Sequence, residues 1–208
     1  MTPVPFDAQL RARMAANLAG LAPAPLEARG LKRAAVTVLV TDAGDGSAAF
    51  LLTRRAARLS AHAGQYALPG GRVDEGESAL EAARREAREE IGLALAEEDF
   101  LGRLDDYPTR SGYLITPLVA WLEGSAPLSP NPAEVERIYR VPLAELGKPG
   151  SPQFVAIPES EQPVIRYPLL GTLLHAPTAA VLYQFMEVGL LGRATRVAHL
   201  EQPVFAWR

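Results

Sequence analysis

Three glutamates stand close together in a charged stretch of the chain, and their spacing is suited to binding a metal ion. Glu86, Glu89 and Glu90 fall within five residues. At about 100° per residue they share one arc of a helix, with Glu86 and Glu90 one turn apart. Like charges at that spacing destabilise a helix by roughly 0.2–0.5 kcal/mol. A divalent cation would offset this repulsion, because hard cations such as Mg²⁺ prefer carboxylate oxygens.

The helix that carries the glutamates is predicted to dock on a core through one apolar face. Apolar residues recur every three or four positions, at Leu80, Ala83, Ala87 and Ile91. Such a stripe is typical of a helix that packs on a neighbouring layer. Gly92 is expected to end the helix, and Arg85 is spaced to pair with Glu89 four residues later.

The stretch from Gly71 to Leu93 resembles the signature of a known family. Its fixed residues are Gly71, Glu77, Arg85, Glu86, Glu89, Glu90 and Gly92. They follow the Nudix box, G-x5-E-x7-R-E-U-x-E-E-x-G-U, where U is a bulky aliphatic residue, and only the small Ala87 departs from it. A solvated charged helix without a metal is the alternative, but charge alone does not require this spacing.

The residues before the box resemble the coenzyme A diphosphatase branch of the Nudix family. That branch carries L-L-T-x-R-[S/A]-x3-R-x3-G-x3-F-P-G-G, which residues 51–56, Gly64 and residues 69–71 follow. Ser60 stands where the signature has arginine, and Leu68 where it has phenylalanine. Weaker similarities extend the resemblance over most of residues 32–190.

The resemblance implies an α/β fold, namely the Nudix α/β/α sandwich with a mixed β-sheet and the box as a loop–helix–loop. It implies hydrolysis of a diphosphate bond with Mg²⁺ or Mn²⁺ as cofactor. The implied metal ligands are Glu86, Glu89, Glu90 and the Gly71 carbonyl, and Arg85 would orient a box carboxylate. Glu86, Glu89 and an outside acid remain open as the proton acceptor. Glu134 is the outside candidate, and its alternative role is that of an exposed glutamate near a strand start.

Substrate contacts are expected from cations and backbone groups near the box. Arg55 is the first candidate, because guanidinium groups bind phosphate oxygens bidentately. Gly70 lies in a loop where backbone groups can approach a ligand. Further candidates are Arg33 and Arg58, either of which could instead be a surface cation, and His62, which could instead bond the loop backbone. His175 and His199 are predicted to be structural, and Tyr107, Tyr113 and Trp121 to be core residues rather than adenine-stacking ones.

Composition restricts the class of protein. The 208 residues are 48% hydrophobic and 22% charged, which predicts one globular domain with a short N-terminal extension. The resemblance then implies a Nudix domain at 31–208, preceded by a helix and linker at 1–30. A net charge of −3 argues against a nucleic-acid polymer or an anionic membrane as partner. A small nucleotide conjugate is expected instead, bound by a monomer or a homodimer.

The absence of cysteine excludes disulfides, zinc-thiolate sites and a cysteine nucleophile. No stretch approaches the roughly 20 apolar residues of a membrane span. A cytoplasmic protein is therefore expected.

The periodicity also predicts the order of elements along the chain. Helices are expected at 6–20, at the box and at 177–188. Strands are expected at 34–41, 48–53, 101–107, 113–123, 135–141, 154–157 and 164–167. The last two form a candidate hairpin around the turn 158–162, and the tail 203–207 is expected to add a strand or an interface segment.

The resemblance of residues 51–71 favours coenzyme A or an acyl-CoA as the expected substrate, cleaved to 3′,5′-ADP and (acyl-)4′-phosphopantetheine. One alternative is another Nudix diphosphatase, acting on ADP-ribose, NADH, a dinucleoside polyphosphate or an oxidised nucleoside triphosphate. A second alternative is a catalytically silent Nudix module that senses a nucleotide, although such modules usually lose box glutamates.

Overall fold

A computed structural model describes residues 3–24, 26–28, 30–58, 64–124 and 127–207. Its helices are α1 (Ala8–Ala19), α2 (Ala79–Ile91) and α3 (Thr178–Gln184), and α3 continues as a π-helical segment, Phe185–Leu190. Its strands are β1 (Lys32–Asp42), β2 (Ala48–Arg55), β3 (Tyr66–Ala67), β4 (Gly70–Arg72), β5 (Phe100–Arg103), β6 (Tyr107–Pro108), β7 (Tyr113–Trp121), β8 (Val135–Pro142), β9 (Gln153–Ile157), β10 (Ser160–Leu169) and β11 (Thr172–His175).

The main sheet is mixed, as expected. Its central path runs β3-β2-β1-β7-β5, while β4 pairs with β1, β6 with β7 and β8 with β2. The β1–β7 pairing is parallel, whereas β1–β2 and β2–β8 are antiparallel. The expected α/β class is confirmed.

Helices cover both faces of this sheet because successive strand residues point to opposite sides. Leu39 and Leu51 pack with Ile91 of α2 in one apolar cluster. Val38 and Phe50, one position away, belong to the cluster that holds buried residues of α1 and α3. The result is the helix–sheet–helix layering that the resemblance implied.

The N-terminal helix packs on the same core as the rest of the chain. Asp7 caps it by accepting a hydrogen bond from the Leu10 N–H, and Phe6 stacks on Trp121 with ring centroids 4.2 Å apart. The division of the chain at residue 30 stays a prediction. None of the helices among the described residues is long and apolar enough to cross a bilayer.

Four details differ from the expected elements. The predicted strand 101–107 is interrupted after Arg103, where the buried Asp105 bonds Gln184 of α3 instead of a strand neighbour. The turn predicted at 158–162 is shorter, because β10 already begins at Ser160. β11 was not predicted, and with β9 and β10 it forms a separate three-stranded sheet. The tail forms a 3₁₀ turn, Val204–Trp207, rather than a strand.

Candidate active site

Local capping sets the limits of the helix that carries the box glutamates. Ser78 accepts from the Glu81 N–H while the Glu81 side chain accepts from the Ser78 N–H, which is a capping box. At the other end Gly92 adopts a left-handed conformation with φ of 71°. Glycine takes that conformation without the steric cost that a Cβ imposes. The helix therefore ends at Gly92, as the sequence indicated, and the Ser78 cap sets its beginning.

Two of the three glutamates converge on the Gly70–Gly71 segment. The Gly70 N–H donates to Glu90 Oε2 at 3.0 Å. The Glu86 carboxylate lies against Gly71 so closely that a Cβ there would stand 2.3 Å from its Oε1. β4 pairs with β1 through Gly71–Ala35 and Gly70–Val36, so the sheet holds this segment over α2.

Arg85 connects three of the box carboxylates. Its Nε and Nη2 donate to the two oxygens of Glu77 at 3.0 Å each. Its Nη1 donates to Glu86 at 2.7 Å and to Glu89 at 3.1 Å. The sequence indicated the pairing with Glu89, and the structure adds Glu86 and Glu77. Glu77 also accepts from the Asp74 N–H, so it ties the loop to the helix.

Burial makes two of the carboxylates weaker acids than usual. The pKa of Glu90 is raised to about 7, chiefly by desolvation and also by the nearby Glu86 charge, and the bond from the Gly70 N–H opposes this shift. Burial also raises the pKa of Glu86, opposed by Arg85. The charge of Glu134 adds to both shifts. Glu134, half-buried, thus lies near enough to the box to influence its charge.

The box carboxylates are of the chemical type that binds a divalent cation, but they are not gathered into a tight group. Among the described residues no three acidic or histidine side chains stand close enough together to hold a metal. Arg85 lies between Glu86 and Glu89, and Glu89 is half exposed. Only a residue without a Cβ at position 71 leaves room for the Glu86 carboxylate. This close approach brings the carboxylate next to the backbone of Gly71, the other implied metal ligand. Buried carboxylates of raised pKa favour a cation, since it stabilises their charged form.

Arg55 is the predicted substrate residue that the structure brings to the glutamates. Its Nη1 lies 3.8 Å from Glu90 Oε1, and its buried Nε has no hydrogen-bond partner in the described part of the chain. A cleft of about 680 Å³ opens here, lined by Arg55, Gly70, Gly71 and Arg72 among others. Tyr113, expected in the core, lines the same cleft, and its hydroxyl accepts from Arg72.

The other predicted substrate residues are placed differently. Arg33 lines a separate hollow of about 630 Å³ with Lys32 and residues 72–77. Arg58 donates to the carbonyls of Pro132 and Ala133, so it holds the loop that carries Glu134. His62 and the signature position Ser60 lie outside the described residues. The structure therefore places Arg55 and Gly70, but neither Arg33 nor Arg58, beside Glu90.

Sequence reasoning missed the part of the cleft that comes from the C-terminal third of the chain. His175, Thr178, Gln202 and Phe205 line it. The predicted structural role of His175 did not anticipate this position. The only hint was Pro177-Thr178-Ala179, which resembles the corresponding region of the coenzyme A branch. Nothing in the composition of residues 202–206 indicated it.

The multiple contacts of Arg85 lead to a first expectation. Arg85→Lys keeps the charge but loses the planar fork that bonds Glu77, Glu86 and Glu89. We expect turnover to fall by about 10–100-fold, the range seen when the partners of metal ligands are removed. Arg88→Lys, at an exposed position of the same helix, is the control. Steady-state kinetics measures both, and equal activity in the two variants would contradict the role of Arg85.

The raised pKa of Glu90 leads to a second expectation, for protein kept free of metal with EDTA. The carboxyl has a pKa of about 7 when folded and about 4.5 when unfolded, so the folded state binds the extra proton between these values. The free energy of unfolding should therefore fall by about 3 kcal/mol as the pH rises from 4.5 through 7. Urea denaturation of the wild type and Glu90→Gln measures it. Glu90→Gln should lack this pH-dependent part of the free energy of unfolding. If the free energy of unfolding of the variant and of the wild type depended on pH in the same way, the raised pKa of Glu90 would be contradicted.

Comparisons with known proteins agree with the fold and the box. Residues 31–158 match the model of the NUDIX domain. The uncharacterized Nudix hydrolase NudL of Photorhabdus laumondii is 37% identical over 140 residues, 66% of this chain and 75% of that protein. NudL of Yersinia pestis (strain Pestoides F) is 41% identical over 96 residues, 46% of this chain and about half, 48%, of that protein. A MutT/nudix family protein from Enterococcus faecalis has the same fold, with a TM-score of 0.55 at 19% identity over 78% of this chain and 66% of that one.

The chain belongs to the Nudix family. It is a Nudix hydrolase that cleaves a diphosphate linkage, and enzymes of this family use divalent metal ions.

Proposed function

We propose that this enzyme hydrolyses the diphosphate bond of coenzyme A or an acyl-CoA. The products are 3′,5′-ADP and 4′-phosphopantetheine or its acyl thioester. The observation that carries the proposal is the position of Arg55. This arginine of the L-L-T-x-R-A segment lies 3.8 Å from Glu90, so the branch-specific sequence and the Nudix box meet at one cleft.

We propose Mg²⁺ or Mn²⁺ as the metal, held by Glu86, Glu89, Glu90 and the Gly71 carbonyl. Such a cation supplies neutralisation of phosphate charge and a more acidic water. The Glu86 carboxylate against Gly71 and the Glu90 carboxylate on the Gly70 N–H support this assignment. Side chains of the protein are assigned the binding of phosphate, the positioning of the carboxylates and the acceptance of the proton.

Arg55 would bind a phosphate oxygen of the substrate, because it lines the cleft and its Nη1 lies 3.8 Å from Glu90 Oε1. Arg85 would hold Glu86 and Glu89 in position through its bonds to both. Water attacks one phosphorus, its proton passes to a carboxylate, and the bond from that phosphorus to the bridging oxygen breaks. Glu86, Glu89 and Glu134 remain the candidate proton acceptors.

Other Nudix substrates form the second candidate function. Ser60, where the coenzyme A signature has arginine, is the observation that favours it. ADP-ribose, NADH, dinucleoside polyphosphates and oxidised nucleoside triphosphates all contain a diphosphate that the same carboxylates and Arg55 could serve. A small nucleotide conjugate in the cytoplasm is the partner in either case, and the cysteine-free composition fits that location.

A substrate panel tests the proposal. The purified protein is incubated with Mg²⁺ or Mn²⁺ and coenzyme A, acyl-CoA, ADP-ribose, NADH, diadenosine tetraphosphate or nucleoside triphosphates, and products are identified by mass. We expect 3′,5′-ADP and 4′-phosphopantetheine to appear. We also expect kcat/KM to be higher for coenzyme A or an acyl-CoA than for any other substrate of the panel. Faster cleavage of ADP-ribose or NADH would replace it with the second candidate. Tight nucleotide binding without turnover would instead indicate the sensing module.

A further inference from the structure

Two chemically different parts of the chain line the cleft beside the glycines. One part contains Gly70 and Gly71 together with the cations Arg55 and Arg72. The other part, which we call the C-terminal wall, consists of residues 172–178, Val181, Gln202, Phe205 and Ala206. Only the first part carries the charges that a diphosphate requires. The second lies outside the matched residues 31–158.

The lining residues of the C-terminal wall present an uncharged, largely apolar surface. They contain no carboxylate, ammonium or guanidinium group, and burial lowers the pKa of His175, which favours its neutral form. Phe205 is 66% exposed and Leu173 is 41% exposed. The Phe205 ring stands edge-on to His175 with centroids 5.3 Å apart. Large apolar side chains exposed in a concave site are typical of ligand-binding surfaces.

The tail is anchored so that this wall is preformed. The buried carboxylate of Glu201 accepts from Arg110 Nε and Nη2 at 3.2 and 2.5 Å and from Ser160 at 3.2 Å. Trp207 donates to the Gln202 carbonyl at 2.9 Å, and its ring lies under the Arg110 guanidinium at 4.7 Å. Phe205 therefore lies between two fixed points, which reduces the entropy lost when a ligand binds.

We propose that the C-terminal wall binds the uncharged chain joined to the distal phosphate of the substrate, with Phe205 and Leu173 in contact with it. For the proposed function, on which this inference rests, that chain is the pantetheine arm and its acyl group. A diphosphate held near Arg55 and the glycines leaves an extended neutral chain to be accommodated. The cleft volume of about 680 Å³ lies within the range of small-molecule sites, about 300–1,000 Å³.

Acyl-chain length provides the test. Each buried methylene contributes about 0.8 kcal/mol, so affinity should rise up to about fourfold per methylene while the chain remains in contact with the wall. We expect the KM of the wild type to fall from acetyl-CoA to hexanoyl-CoA at constant kcat. Phe205→Ala and Leu173→Ala should each raise the KM for hexanoyl-CoA by about tenfold, the loss expected for one apolar contact, and flatten the dependence on length.

Phe154→Ala is the matched control, because Phe154 is also exposed, at 48%, but does not line the cleft. It should keep the wild-type dependence on chain length. The same series is repeated as direct binding, by calorimetry in EDTA, of the S-acetyl and S-hexanoyl thioesters of 4′-phosphopantetheine. This second readout needs neither metal nor turnover.

The experiments distinguish a failure of the wall proposal from a failure of the proposed function. If acyl-CoA is cleaved but Phe205→Ala keeps the wild-type dependence on chain length, the wall proposal is wrong and the proposed function stands. If acyl-CoA is not cleaved, yet the thioesters bind and Phe205→Ala weakens them by about tenfold, the function fails and the wall proposal stands. Light scattering that shows a wild-type dimer and a Phe205→Ala monomer, with unchanged thioester binding, would assign the wall to contact between two copies and overturn the proposal.

Discussion

Glu90→Gln is expected to lower kcat by at least about 10²-fold, on the scale of damage to a metal site. The substitution keeps the shape of the side chain but removes the negative charge that would hold the cation. Glu86→Gln should have a similar effect, because its carboxylate lies against Gly71. Manganese binding, followed by calorimetry or electron paramagnetic resonance, should weaken in parallel with turnover.

Stability separates this loss from misfolding. At pH 7.5, above its pKa of about 7, the Glu90 carboxylate is mostly charged although its side chain is only 4% exposed, so the neutral amide removes a cost of burial. We expect Glu90→Gln to unfold at a temperature equal to or above that of the wild type without metal. Glu98→Gln, at an exposed position away from the cleft, is the control and should keep full activity. Near-normal turnover with unchanged metal dependence in both Glu86→Gln and Glu90→Gln would count against the metal site.

Replacement of the two adjacent glycines by alanine is expected to affect different properties: stability at Gly70 and turnover at Gly71. At Gly70, where φ is 149°, a Cβ would lie 2.2 Å from the Ala35 carbonyl oxygen and 2.7 Å from Val36 Cα. These are backbone atoms of β1, which cannot move without disturbing the sheet. We expect Gly70→Ala to reduce the free energy of unfolding by about 3 kcal/mol through strain and overpacking.

At Gly71 the obstacle is the end of a side chain. A Cβ would meet the Glu86 carboxylate at 2.3–2.9 Å, and that carboxylate can turn away. We expect Gly71→Ala to change stability by less than about 1 kcal/mol but to lower turnover by about 10²-fold, because Glu86 loses its place. Denaturant unfolding and kinetics on the same samples measure both effects.

Gly76→Ala is the control for the glycine pair. Gly76 also has positive φ, at 80°, but a Cβ there would meet nothing within 4 Å. Gly76→Ala should reduce the free energy of unfolding by about 1 kcal/mol, from backbone conformation alone, and should leave turnover unchanged. A Gly71→Ala variant of normal activity would show that the Glu86 position against this glycine is not required.

The features that the sequence determined are local. The limits of α2 follow from Ser78, Glu81 and Gly92, whose caps act within one helical turn. The common arc of the three glutamates and the Arg85–Glu89 pair follow from helical periodicity. Runs of consecutive apolar residues predicted the central strands β1 and β2 of the main sheet, because these strands bury residues on both of their faces.

The tertiary structure alone decided which of these residues form a site. The Gly70 N–H reaches Glu90 across 20 positions of sequence because β4 pairs with β1 above α2. Arg55 and Glu134 approach the box because β2 pairs with β8, where Arg55 stands opposite Val135. Phe205 meets the cleft because Arg110 and Ser160 hold Glu201. Such contacts depend on strand register and on the packing of distant segments, which the periodicity of a single segment does not encode.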